Sequence, residues 1–322
     1  MSSPTQPLHL TSFCDRRASK VGLGACREAG DESPSAIALA IEQGCTVLDT
    51  APHYHAGRHE RAIGEAVRGA DRDALIISTK VGRVPELVTT TKDTLGFARL
   101  RTYIEDTFLA RKLFAWDDLA HAHHTFAPAY LRHSVEQSLE RMGLAQLDCV
   151  FLDGPEVQLR VAGASFDRRM FAAIEALEGL CAAGLVRCYG IATATDLDLG
   201  KLVGLAQTAA GDAHRLRALS VPFSLLRQDR RDLVARAADL GLYIYATGCL
   251  DGGSPAYQIP DELSARLGDL ADPAIAIRWT QSAPFVGTAV FGARDPRHVR
   301  ANLAAARLPL LDAGFYAEGA AA

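Results

Sequence analysis

Thr46-Val47-Leu48-Asp49-Thr50-Ala51-Pro52-His53-Tyr54 and, about thirty residues on, Ala74-Leu75-Ile76-Ile77-Ser78-Thr79-Lys80 share one design. Each is a short apolar run of strand length that ends on an ionisable residue. A parallel strand buried on both faces reads this way, its C-terminal end delivering a polar group to an open mouth. Asp49, Lys80 and Tyr54 gathered at one mouth are the parts of an activated phenol. An ammonium stabilises the phenolate and a carboxylate holds the ammonium, so a hydroxyl with a reference pKa of about 10 works as an acid near neutrality.

Working outward, six more apolar runs repeat the pattern: Val21–Ala25, Asp148–Leu152, Val186–Ala192, Ala218–Val221, Leu242–Ala246 and Thr288–Phe291. Between the runs lie stretches of helical period, among them Ser35–Gln43, Arg61–Arg68, Tyr130–Met142, Arg168–Ala183, Leu197–Thr208, Arg230–Leu240, Asp261–Leu270, Ala274–Ser282 and Pro296–Ala306. Gly44, Gly143, Gly184 and Gly241 each follow a helix and precede a strand, where a left-handed cap is expected. Repeated helix-Gly-strand implies βα units and a parallel sheet, and eight such units favour a closed (β/α)8 TIM barrel spanning 1–322 as one domain. Gly22-Leu23-Gly24 lacks the third glycine of G-x-G-x-x-G, which argues against an open dinucleotide-binding sheet. One stretch breaks the rhythm. Residues 82–127 form a long insertion after the third strand, expected to be a lid or substrate wall, with Arg99–Lys112 helical and Trp116-Asp117-Asp118-Leu119 a turn.

The 322 residues are 48% hydrophobic and 22% charged, with a net charge of -4, so a large core is available and no basic face for nucleic acid or anionic lipid is implied. No apolar run approaches the ~18 residues of a membrane span. Seven cysteines without a C-x-x-C pair read as reduced core thiols, and a cytoplasmic setting is expected. His53, His55, His59 and the later His121, His123 and His124 lack metal-ligand spacing and read as polar loop residues.

Five pieces in order resemble the aldo-keto reductases. Val21-Gly22-Leu23-Gly24 resembles their opening strand. Asp49-Thr50-Ala51, Tyr54, Glu60 and Ile63-Gly64-Glu65-Ala66 are similar to the D-T-A-x-x-Y…E-x-x-I/L-G-x-A signature, and Ser78-Thr79-Lys80 to the S-T-K strand. Gly184-Leu185-Val186-Arg187-Cys188-Tyr189-Gly190-Ile191 resembles G-K-[VI]-R-x-x-G-[VI]. Gly292-Ala293-Arg294 through Pro296 and Asn302-Leu303 resembles the cofactor-phosphate segment. Asp153-Gly154-Pro155-Glu156-Val157-Gln158-Leu159 resembles the H-N-P-E-x-Q-L loop of one branch.

The resemblance implies NADPH as cofactor and reduction of a carbonyl or conjugated carbonyl on a small-molecule substrate, in a monomer or weak homo-oligomer. Tyr54 would be the proton donor, Lys80 its activator and Asp49 the partner of Lys80. Gly292 and Arg294 would hold the ribose phosphate, His298 and Asn302 the adenosine, Thr193 and Ser220 the nicotinamide carboxamide. The stacking aromatic is expected near Tyr245-Ala246-Thr247-Gly248.

One position departs. The family histidine that closes the next strand is Asp153 here. An ionised carboxylate cannot donate a hydrogen bond to the substrate oxygen. A second carboxylate and a dry pocket would push its pKa up, and Lys80 would push it down. Three readings follow: a protonated Asp153 that orients substrate in an altered reductase; proton transfer by Tyr54 and Asp153 in a dehydratase, isomerase or cyclase; or a silent NADPH-binding protein. His53 or His124 would supply the missing imidazole at the substrate.

Overall fold

A computed structural model describes residues 6–25, 33–90, 97–251, 259, 264, 265, 267 and 270–312. The chain opens with an antiparallel pair, β1 (Leu10–Phe13) and β2 (Arg16–Ser19). Eight parallel strands follow: β3 (Val21–Gly24), β4 (Val47–Asp49), β5 (Ile76–Val81), β6 (Leu147–Asp153), β7 (Val186–Ala192), β8 (Leu216–Pro222), β9 (Tyr243–Thr247) and β10 (Thr288–Gly292). They close in the order β10-β3-β4-β5-β6-β7-β8-β9. This is the (β/α)8 barrel that the eight apolar runs imply.

The runs became barrel strands because they are buried on both faces. Leu147 to Leu152 of β6 are all inaccessible or nearly so, and β5 is buried throughout. The four expected glycine caps adopt left-handed backbone, with φ from 65° to 88°. The expected helix over Asp261–Leu270 lies largely outside the described residues.

Two compact units are present: Met1–Asp49 with Glu65–Ile77 and Leu219–Ala322, and Thr50–Gly64 with Ser78–Ala218. In the first, Phe223 stacks on Trp279 with ring centroids 5.7 Å apart. The β1–β2 pair, which periodicity does not announce, turns through Cys14 and Asp15, both at positive φ. Two-residue hairpins of this kind favour Asn-Gly or Asp-Gly, so Cys-Asp is a weak signal. Phe13 of this pair packs on Tyr243 and Tyr245 of β9, centroids 4.6 and 5.9 Å away. Tyr245 is wholly buried there, so it is not the stacking aromatic expected near that position.

In the second unit the helix Arg58–Val67 approaches so closely that a Cβ on Gly64 would lie 2.6 Å from the Met142 carbonyl oxygen. The glycine of the Ile63-Gly64-Glu65-Ala66 segment is thus fixed by packing. The insertion folds around its own apolar core: Val84, Leu87, Ile104, Phe108, Leu113 and Phe114 gather with Tyr130. The expected helix over Arg99–Lys112 is shorter, running Phe97–Ile104 and widening into one π-turn, Glu105–Leu109. Trp116–Asp118 forms a 3-10 turn. A groove of about 640 Å³ lined by Leu109, Phe114, Trp116 and Pro128 runs along this segment and touches none of the candidate catalytic residues.

Candidate active site

β4 ends at Asp49, which is 3% exposed. The next residue, Thr50, is a hub of the second unit. Its N–H donates to Ser78 of β5, and its carbonyl accepts from Lys80 Nζ at 2.9 Å. Its hydroxyl is 2.8 Å from His59 Nδ1. Burial pushes the His59 imidazole down to about 3, so it sits there neutral.

Strand alternation places Thr79 and Lys80 on opposite faces of β5. Thr79 donates to the wholly buried Glu60 at 2.8 Å, and Glu60 also accepts from Arg141 Nε. The glutamate of the family-like signature therefore pins β5 and aims Lys80 to the other face. Lys80, 5% exposed, places its ammonium 4.8 Å from the centroid of the Tyr54 ring, within cation–π range. Tyr54 opens a tight turn, Tyr54–Gly57, whose next residues His55 and Ala56 both have left-handed backbone, at φ 50° and 54°. His53 stands beside Tyr54, ring edge to ring face at 4.7 Å and 71°.

Asp153 ends β6 and is 14% exposed in its side chain. Arg83 Nε donates to its Oδ2 at 2.8 Å. Burial pushes the carboxyl up, but the Arg83 guanidinium, with His53 and Lys80 beyond it, reverses the sign and holds it below the usual carboxylate range. The neutral, hydrogen-bond-donating Asp153 expected from sequence is thereby corrected: the residue is ionised and paired. Arg83 was missed, although Ser78-Thr79-Lys80-Val81-Gly82-Arg83 places it three residues after the lysine.

His124 also departs from expectation. It is wholly buried, with Nε2 2.7 Å from the Asp153 backbone oxygen and Nδ1 3.0 Å from Gln158 Nε2. An imidazole that donates to a carbonyl through Nε2 accepts from the amide through Nδ1 and is neutral. Burial pushes it down to about 4, in keeping with that assignment. Neither nitrogen is left for a substrate. Gln158 Oε1 in turn accepts from Arg169 Nη1 at 2.8 Å, and Arg169 Nη2 donates to the Asp117 carbonyl at 2.6 Å. The relay ties the insertion at both Asp117 and His124 to the helices Pro155–Ala162 and Phe166–Ala182.

The expected cofactor residues divide. Thr193 is 4% exposed, and its hydroxyl is already engaged by Glu156 Oε2 at 3.1 Å and the Thr195 carbonyl at 2.9 Å. It is a loop anchor, not an open carboxamide contact. Ser220, equally buried, lies in β8. Gly292 ends β10 and Arg294 is exposed just before the helix Pro296–Ala306. Asp295 caps that helix, accepting from Arg297 N at 2.8 Å. His298 stands open on the first turn, whereas Asn302, 6% exposed, lies on the buried face with Leu303. No group of three or more potential metal ligands occurs among the described residues. No described helix is long and apolar enough to cross a membrane.

A model of the aldo/keto reductase family matches residues 20–266. D-threo-aldose 1-dehydrogenase from a Pseudomonas species is 28% identical over 317 residues, covering 89% of this chain and 87% of that protein. Among solved structures, the holo form of an aldo-keto reductase from Bacillus halodurans superposes with a TM-score of 0.71 at 19% identity, covering 98% of this chain and 96% of that one. An aldo-keto reductase from Klebsiella pneumoniae in complex with NADPH gives 0.64 at 21% identity, over 94% and 90%. By the match of its sequence over most of its length and by its closed barrel of eight parallel strands, this chain belongs to the aldo/keto reductase family of oxidoreductases.

Proposed function

We propose that the protein interconverts a carbonyl and a hydroxyl on a small organic molecule with NADPH or NADP⁺ as partner, using Tyr54 as proton donor, Lys80 as its activator and Asp49 as a supporting carboxylate. The observation that carries this reading is the Lys80 ammonium held by the Thr50 carbonyl over the Tyr54 ring. A cation fixed at that distance favours the phenolate over the phenol, and its low exposure strengthens the effect. The residues present fit the cofactor at its phosphate end: the Arg294 side chain is solvent-exposed next to a helix N-terminus, and a guanidinium suits a ribose phosphate. Gly292 and His298 stand next to it, and Ser220 supplies a hydroxyl on β8. When bound, NADPH supplies the hydride.

The chain's own part is proton management. Tyr54 gives its proton to the oxygen as negative charge grows on it. Lys80 stabilises the phenolate left behind, and solvent restores the proton. In the oxidising direction the phenolate takes the hydroxyl proton instead. The likeness to an aldose dehydrogenase favours a polyhydroxylated substrate, whose hydroxyls would find an acceptor in the ionised Asp153 and donors in Arg83.

The test is to follow nicotinamide absorbance with NADPH and a panel of aldehydes and enones, and with NADP⁺ and a panel of aldoses. Tyr54→Phe is expected to lower kcat about a thousandfold while the melting temperature rise caused by NADPH persists. No turnover with any pair, and no NADPH-induced rise in melting temperature, would remove the proposal.

A further inference from the structure

Three imidazoles or acids compete for the place beside the reacting oxygen, and the contacts eliminate two. Asp153 is salt-bridged to Arg83 and offers no proton. His124 has both nitrogens engaged and no exposed surface. His53 remains. It is partly open, packs edge-on against the Tyr54 ring at 4.7 Å, and sits on the residue directly before the phenol. We propose that His53 is the substrate-orienting hydrogen-bond donor of this enzyme, its neutral ring presenting an N–H to the oxygen that Tyr54 protonates.

The placement rests on geometry. The ammonium of Lys80 approaches the same phenol ring that His53 flanks. Tyr54 is therefore flanked by both the Lys80 ammonium and the His53 ring. The charged and titratable groups that act on His53 are Asp153, Arg83, Lys80 and His123. Two of these are cations and one is an anion, and desolvation outweighs them all, pushing the imidazole down to about 4. A ring that stays neutral through the working range donates without carrying charge to the site. The job that an imidazole at position 153 would perform is thus moved from the end of one strand to the loop after another. Asp153 keeps a different task, holding Arg83. The inference rests on the proposed oxidoreductase activity and names a substrate contact for it.

The experiment compares His53→Phe, which keeps a ring against Tyr54 and loses both nitrogens, with His53→Gln, which keeps an N–H. On the substrate that the panels identify, His53→Phe is expected to lower kcat about a hundredfold with the KM for NADPH and the melting temperature unchanged, and His53→Gln to recover at least a tenth of wild-type kcat. The wild-type to His53→Phe ratio should stay constant between about pH 6 and 9, since a neutral donor does not titrate there. A kcat within about threefold of wild type in His53→Phe, or a Gln variant as slow as the Phe variant, overturns the assignment and leaves the oxidoreductase reading standing. So does a ratio that changes across that range. Should wild type turn over nothing, the oxidoreductase reading falls and His53 is read directly. With nitrogen-15-labelled imidazoles and acetate as an oxyanion probe, an N–H resonance of His53 that moves on titration sustains the donor role. One that does not move overturns it.

Discussion

The strand ends at Asp49 and near Lys80 were legible in the sequence because each closes an apolar run, and the structure sets the Lys80 ammonium 4.8 Å from the centroid of the Tyr54 ring. The partners were not legible. His124 meets Gln158 and Asp153 across more than twenty-five residues of chain, and Thr193 meets Glu156 across a similar gap, so nothing local says that their polar atoms are taken. Arg83 could have been found, since a cation three residues beyond the lysine is within reach of the same mouth. The loop after Tyr54 yields a prediction at this scale. Ala56 is exposed yet left-handed, a conformation that costs an alanine about 1–2 kcal/mol. Glycine removes that cost but adds about 0.5–1 kcal/mol of unfolded-state entropy. Ala56→Gly is therefore expected to stabilise the protein by about 0.5 kcal/mol. Urea unfolding checks it, and a destabilised variant would mean that the turn is held by something other than backbone preference.

At the scale of elements, the eight strands were readable from burial on both faces, and the helices from their glycine stops. The β1–β2 pair was not, because its turn residues carry little signal and its exposed positions break the apolar pattern. The insertion was visible only as a gap in rhythm, since its core forms from residues scattered over some fifty positions. Helix-to-backbone approach gives the second prediction. A Cβ at Gly64 meets the oxygen, Cα and carbonyl carbon of Met142 at 2.6–2.9 Å, all backbone atoms that cannot swing aside. Gly64→Ala is expected to destabilise by about 1–3 kcal/mol, read as a lower urea midpoint with unchanged slope. Because Glu60 lies on the same helix and anchors Thr79, displacement there should also lower kcat, through Lys80.

For the whole molecule, three imidazoles shape the response to acid, His59 and His124 buried and His53 partly so. His53 and His124 are pushed down to about 4 and His59 to about 3, in each case by burial. Unfolded, they would protonate below about pH 6.5; folded, they resist until near pH 4. The unfolded chain thus binds more protons throughout that window, so stability is intact above about pH 6.5 and falls as the pH drops towards 4. Near pH 5 unfolding should take up about three protons from these rings, a slope of roughly 3–4 kcal/mol per pH unit. Asp153 works in the opposite sense and lower down. Its depressed pKa stabilises above about pH 4 and is lost only below it. Melting temperatures from pH 7 to 5 test the first claim: a flat profile would show that the imidazoles are solvated.

The anchoring of residues 82–127 has a consequence for how such an enzyme diversifies. That segment keeps a private interior and is bolted down at Asp117 and His124, so its outer side chains are free to drift. The grooves along it, lined by Leu109, Trp116 and Leu119, include neither Tyr54 nor Lys80, so exchanges at the exposed Trp116 leave the phenol and its ammonium in place. The surface of that segment and the chemistry at Tyr54 can then be inherited, and altered, on separate tracks.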